Sequence, residues 1–269
     1  ERTDMLTEAG KWRLDLASPH QVYKLASGER VPGVTTINGV WEKMALRGWY
    51  ADMERASVVA WAEAAFLKGP TSATELGRIL RGMLPEKDGK PVWAADVKKD
   101  RAADIGTVTH ARCEAFVKGP YDLDESGLTP DLLRDSMPGF LRFQTLWVES
   151  GYTLIHSELQ MVSERMRCGG TADIVARAPS GLLVLMDLKT SKASKWWPYP
   201  ETLSQVAAYA AMYEEVSTNR IDRIVVERIG KAENDPGQSY RVSEAQRKAG
   251  LRKFVLAREA YNLDKELKP

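Results

Sequence analysis

The chain has 269 residues, 43% of them hydrophobic, and a formal charge of only +1. That length can bury a substantial core, while the charge balance announces no nucleic-acid partner, which would have to be held by local basic patches. No run of about 18 apolar residues occurs, the opening ERTDMLTEAGKW has neither a basic start nor an apolar signal core, and the two cysteines, Cys113 and Cys168, lie outside any CxxC pair or zinc-spaced cluster. A cytoplasmic protein without a membrane partner is expected.

In chain order, the segment from Tyr23 to Trp49 reads as a short extended piece, a turn at Pro32 and Gly33, and a helix start that Thr35 or Thr36 could cap. From Trp41 to Lys68 the residues Met44, Trp49, Met53, Val58, Trp61 and Ala65 recur at helical intervals, until Gly69 and Pro70 stop the pattern. A second helix follows a capping-box-like Ser72 with Glu75 three residues on. A third runs from about Val97 to Val117, and an amphipathic helix from Asp131 to Ser150 meets a natural stop at Gly151.

The period then changes. Residues 152–162, 171–178 and 182–190 are β-rich runs separated by a CGG sequence and by the tight turn Pro179, Ser180, Gly181, which reads as a three-stranded meander. Residues 201–216 return to helix, 220–230 to strand, and 243–267 close with a basic amphipathic helix. The expected class is α/β: a core of helix, three-stranded meander, helix and strand over residues 97–269, with a helical N-terminal region over residues 1–96 packed on it in one structural domain.

Chemistry concentrates in GGTADIVARAPSGLLVLMDLKTSK. The hairpin turn brings Asp173 and Asp187 side by side, and the alternation of side chains puts Asp187 and Lys189 on one face with Leu188 on the other. Two carboxylates and an ammonium together are costly if buried without purpose. Magnesium removes that cost, because it takes oxygen ligands, keeps several waters and completes its shell with phosphate oxygens. The competing reading is a strand end with a solvated ion pair.

Four short motifs stand in order here: GTVTH ending at His110, GTAD ending at Asp173, DLK from Asp187 to Lys189, and QVAAY from Gln205 to Tyr209. This series resembles the PD-(D/E)XK nuclease superfamily, and within it the RecB-type branch that includes phage exonucleases and the mitochondrial genome-maintenance exonuclease. The likeness extends upstream through VPGVTTINGVWEKMALRGW and covers roughly Tyr23 to Arg228.

The resemblance implies a restriction-endonuclease-like core and a metal-dependent DNA nuclease, an exonuclease with little sequence preference. It further implies that Asp173, Asp187 and the Leu188 carbonyl hold Mg2+ or Mn2+, that Lys189 positions the attacking water, and that His110 approaches the metal or phosphate. Gln205 and Tyr209, one turn apart, would steady the site or the DNA backbone; Glu158 would be a further ligand. Rival readings are a packed core role for His110, a buried helix-face pair for Gln205 and Tyr209, and a solvated carboxylate for Glu158. The two cysteines cannot supply the four that iron–sulfur members of the branch need, so no cluster is expected.

Two stretches offer a DNA path. The loop after DLK interleaves Lys192 and Lys195 with Trp196, Trp197 and Tyr199, which suits phosphate contacts and base stacking, or else forms an apolar plug over a sheet edge. The last helix carries Arg247, Lys248, Arg252, Lys253 and Arg258, either along a DNA backbone or as a solvated face. The expected partners are DNA, single-stranded or as a duplex end, and a recombination or annealing protein in a bacterial or phage-infected cell. A structure- or site-specific endonuclease and a nuclease-fold DNA-binding protein that does not cut are the alternatives.

Overall fold

The structure, a computed structural model, describes residues 12–13, 22–41, 44–70, 72–87, 89–121, 123–191, 196–230 and 235–268. The chain divides into two compact units, one formed by the chain up to Trp41 together with Ile105–Pro269, the other by Glu42–Asp104. The sequence-based boundary near residue 96 thus falls within a helix, and the segment before Trp41 belongs with the sheet.

The smaller unit is helical. It holds α2 (Met44–Phe66), α3 (Ala73–Arg81), a hairpin of β4 (Glu86–Lys87) and β5 (Lys90–Pro91), and the first part of α4 (Ala94–Lys118). The Ser72 side chain accepts from the Glu75 N–H, the cap that the local sequence predicts. The Glu54 carboxylate accepts from the Ala95 N–H, and Asp96 takes Tyr50 Oη at 2.9 Å and Lys99 Nζ at 2.8 Å, which fastens α2 to the start of α4.

The larger unit begins with β1 (Trp12–Arg13), which pairs in parallel with β6 (Leu123–Asp124). A hairpin of β2 (Tyr23–Lys24) and β3 (Arg30–Val31) leads into the short helix α1 (Val34–Asn38). The cap expected from Thr35 or Thr36 is not made: both lie inside α1, whose first flanking residue, Gly33, supplies no side chain. The Gly33 backbone instead bridges to Gly169, so the chain enters α1 already tied to the sheet.

The main sheet has the order β11-β10-β9-β8-β7. The meander is β7 (Thr153–Ser163), β8 (Cys168–Arg177) and β9 (Leu183–Ser191), all antiparallel, and β10 (Arg223–Gly230) runs parallel to β9 after the crossover helix α6 (Pro200–Val216). Sequence reading missed β11 (Gln238–Val242), an edge strand antiparallel to β10, because QSYRV carries little apolar signal. The helix α5 (Pro130–Ser150) ends at Gly151 with φ 63°, and α7 (Glu244–Glu266) opens with a capping box of Ser243 and Gln246.

Helices cover both faces of the sheet. Val175, Leu185 and Val226 pack with Val34 and Ile37 of α1, Val206 and Met212 of α6 and Phe254 of α7. On the opposite face Ile174, Met186 and Leu188 pack with Cys113 of α4 and Phe140 and Phe143 of α5. Burial on both sides explains why LVLM in β9 is continuously apolar instead of alternating. Gly250 lets α7 come close to the α6 backbone: a Cβ there would lie 2.5 Å from the Leu203 carbonyl oxygen. Among the described residues no helix is long and apolar enough to cross a membrane.

Candidate active site

The β8–β9 ladder pairs Arg177 with Leu183, Ala176 with Val184, Val175 with Leu185 and Ile174 with Met186. One step further the same register sets Asp173 opposite Asp187, and here the pattern changes. Asp173 Oδ2 accepts from the Leu188 N–H at 2.7 Å, so a carboxylate takes the place of a main-chain partner. Asp187 lies on the sheet face that carries Leu185 and Val226, while Leu188 turns to the other; in β8 the alternation is interrupted beside Asp173, since Ala172 and Val175 belong to the first face and Ile174 to the second.

Asp187 is 1% exposed. Lys189 Nζ lies 3.0 Å from its Oδ1, to which it donates, and 2.8 Å from its Oδ2. Despite that proximity Oδ2 accepts no hydrogen bond, because the ammonium is out of line with it. Burial pushes the Asp187 carboxyl up to about 6; the Lys189 ammonium opposes this and the Asp173 carboxylate adds to it. Burial likewise raises Asp173. At Lys189 burial works against the charge, but the two carboxylates outweigh it and hold the ammonium above its ordinary range.

The GTVTH motif has a geometric basis. A Cβ at Gly106 would sit 3.0 Å from Thr190 Oγ1, so glycine lets α4 cross close to β9. One turn later His110 reaches Asp173, with Nδ1 3.8 Å from Oδ2, beyond hydrogen-bond range. Burial and the neighbouring Lys189 push its imidazole down to about 4, against Asp187 and a hydrogen bond with the Leu188 backbone. His110 is therefore neutral at physiological pH and half-buried at the site, not a residue of the packed core.

The two glycines before TAD are equally forced. A Cβ at Gly170 would lie 2.5 Å from the Tyr209 ring, and one at Gly169 would fall 2.0 Å from Tyr23 Cγ. The rings of Tyr209 and Tyr23 thus lie flat against the backbone that delivers Asp173. Tyr209 Oη accepts from Gln205 Nε2 at 2.9 Å, and burial first, then the charges of Asp187 and Asp173, raises its phenol. Tyr23 Oη stands 3.0 Å from Thr171 Oγ1, two residues before Asp173. Sequence reading missed Tyr23 as a site neighbour, since nothing local marks a contact between residues 146 apart and more; only its place at the start of the upstream likeness pointed to it.

Glu158 also comes to this place. The β7–β8 register pairs Ser157 with Ile174 and Leu159 with Ala172, which leaves Glu158 across from Asp173. Its φ is 48°, a left-handed backbone that non-glycine residues adopt at a cost of roughly 1–3 kcal/mol.

The proposed DNA path divides. Lys192 and Lys195 lie outside the described residues. Trp196 is buried in the core against α6, which makes it the plug, whereas Trp197 and Tyr199 are exposed. Most of the basic residues of α7 are engaged within the fold: Arg247 with the Ile221 carbonyl and Glu214, Arg258 with the Met166 carbonyl and Asn262, Lys253 with Glu201 and the Trp41 ring. Lys248 keeps only a loose ion pair with Glu244 at 4.0 Å.

No family model matches this chain, and no curated protein matches it in sequence. Among solved structures it is similar to a candidate exonuclease from Eubacterium rectale, at 11% identity and TM-score 0.42, over 68% of this chain and 70% of that one. It is also similar to a protein named SSO0001, at 15% identity and TM-score 0.29, over 55% and 73%. Neither likeness bears on the chemistry of this chain.

Proposed function

We propose that this chain is a metal-dependent DNA nuclease, an exonuclease that hydrolyses phosphodiester bonds with little sequence preference. The observation that carries this reading is the pair Asp173 and Asp187, the first half-buried and the second buried, brought together across one strand pair beside Lys189. One ammonium between two carboxylates leaves negative charge out of water that a divalent cation would offset.

The donor set fits a hard divalent ion. Among the described residues no group of three or more His, Cys, Asp and Glu side chains stands ready for a metal, so a closed structural site is not at hand. Two carboxylates and a backbone carbonyl, with water and substrate oxygens in the remaining positions, are what Mg2+ or Mn2+ uses. Asp173, Asp187 and the Leu188 carbonyl would hold it, and Glu158, across from Asp173 in register on β7, would act through a water. When bound, such an ion polarises a phosphate oxygen and lowers the pKa of a water.

The residues of the chain do the rest. Lys189, pinned by Asp187, places its ammonium to orient the attacking water and to offset negative charge on the phosphate in the transition state. His110, uncharged down to about pH 4, contacts the phosphate or the ion without first losing a proton. Gln205 and Tyr209 hold the strand that carries Asp173 through the ring packed on Gly170.

The test is digestion of 5′- and 3′-labelled single- and double-stranded DNA with Mg2+, with Mn2+ and with EDTA. Degradation from ends that stops in EDTA and in Asp187→Ala, with DNA binding retained, supports the reading. Cutting of covalently closed circles turns it into an endonuclease, and binding without cleavage under any metal refutes it.

A further inference from the structure

The four described residues just before α6 alternate. Trp196 and Pro198 are buried, while Trp197 is 70% and Tyr199 52% exposed. Leaving an indole in water forfeits a large favourable burial, and it is the kind of surface that marks recognition. Trp197 is nevertheless held in place. The anchored Trp196 precedes it and Pro198 follows it, and its ring meets Tyr240 edge-on, with centroids 5.7 Å apart and planes at 79°. Tyr240 is itself fixed, since its ring packs against the core and its hydroxyl accepts from Gln246 Nε2 at 2.5 Å.

Register locates this platform relative to the acids. Tyr240 pairs with Val226 across β10–β11, and Val226 pairs with Asp187 across β9–β10. Paired residues share a face, so Tyr240 and Asp187 lie in one row on one side of the sheet, two strand spacings apart, about 10 Å. Trp197, whose ring meets Tyr240, therefore lies toward the Asp187 side of the sheet, with the buried Val226 between the two.

We infer that Trp197 is a stacking platform for an unpaired nucleobase, which makes single-stranded DNA, or the frayed end of a duplex, the substrate of the proposed site. This rests on the nuclease reading. A rigid aromatic face stacks on any base and so carries no sequence preference. Bases inside a duplex already have both faces covered by their neighbours, so such a platform selects against intact duplex. Preorganisation by Tyr240, Trp196 and Pro198 lets the stack form without ordering a loop.

The test is fluorescence anisotropy with a labelled thymidine 20-mer and with a blunt duplex, in an Asp187→Asn background that removes cleavage. Trp197→Ala weakens binding of the 20-mer about tenfold or more, Trp197→Phe by less than about threefold, and both leave duplex binding within about twofold. Trp197 is exposed, so these variants fold, which near-ultraviolet circular dichroism verifies. Equal binding of the 20-mer by Trp197→Ala and its parent overturns the platform, as does an equal loss on both substrates. Failure of the parent to bind either DNA sinks the nuclease reading itself, and is told apart from the first two results because it appears before Trp197 is touched.

Discussion

Lys189 and Arg228 are register partners on adjacent parallel strands, and each stands beside a carboxylate, Arg228 buried and Lys189 half-buried. Arg228 is 2% exposed and engages Asp235 through two parallel bonds, Nη1 to Oδ2 at 2.6 Å and Nη2 to Oδ1 at 2.5 Å, with a third from Nη1 to the Ser191 carbonyl. Hydrogen bonding to Arg228 holds the Asp235 carboxyl below its ordinary range. Only Arg228 Nε lacks a partner. At the other pair burial prevails, the Asp187 carboxyl is raised to about 6, and one oxygen is left over. A pair whose carboxylate is satisfied ties the β10–β11 connection back to β10; a pair whose carboxylate is held by one partly exposed ammonium is poised to take up something else.

The sharpest way to break this comparison is to neutralise each acid. Asp187→Asn lowers DNA cleavage at least about a thousandfold in a labelled-end assay while the protein stays folded. Asp235→Ala leaves the buried guanidinium without its counter-charge and costs about 3–5 kcal/mol in denaturant unfolding. If Asp235→Ala proves silent and Asp187→Asn unfolds the chain, the roles assigned to the two pairs are reversed.

A second prediction sharpens the contrast through pH. The Asp187 carboxyl moves from 3.8 to about 6 in the folded, metal-free protein, so the fold binds a proton there more tightly than the unfolded chain does. That contribution to stability is complete below pH 3.8 and is lost as pH rises through about 6. Thermal melts across this window show the loss in the parent and not in Asp187→Asn. Protons and divalent ions compete for the same oxygens, so Mn2+ affinity by calorimetry falls as pH drops below about 6, by up to about tenfold per unit, and is flat above.

Smaller effects follow from the glycines. Gly170→Ala drives a methyl into the Tyr209 ring and costs about 1–3 kcal/mol in chemical denaturation, with a loss of activity beyond what the stability change explains. Tyr209→Phe keeps the ring and loses only the Gln205 hydrogen bond, about 0.5–1.5 kcal/mol by the same measurement.

How much of this was legible in the sequence differs from element to element. The meander and α6 announce themselves through a change of period and a tight turn, and the hairpin arithmetic set Asp173 near Asp187, where its carboxylate accepts from the Leu188 N–H. The spacing of GTVTH brings His110 to Asp173, although its glycine is explained only by the nearness of Thr190. Other features depend on contacts that no local pattern encodes. The Gly169 requirement comes from Tyr23, and β11 owes its existence to pairing along β10. The division of Trp196 from Trp197 follows from which indole the core admits. The capping role expected of Thr35 or Thr36 failed because the bridge of Gly33 to Gly169 starts the helix earlier. The basic stripe of α7 looked like an open surface, yet Arg247 and Arg258 turn back into their own fold.

The bond from the Leu188 amide to Asp173 gives the two acids unequal burdens. Asp173 is at once a prospective ligand and a splint for the neighbouring strand, whereas Asp187 carries no main-chain load among the bonds described. Truncating Asp173 strands an amide as well as removing a charge, so its variants should lose both activity and robustness, while those at Asp187 forfeit activity alone. Natural or designed inactivation of this site, wherever the scaffold is to be kept intact, is therefore expected to strike residue 187 before residue 173.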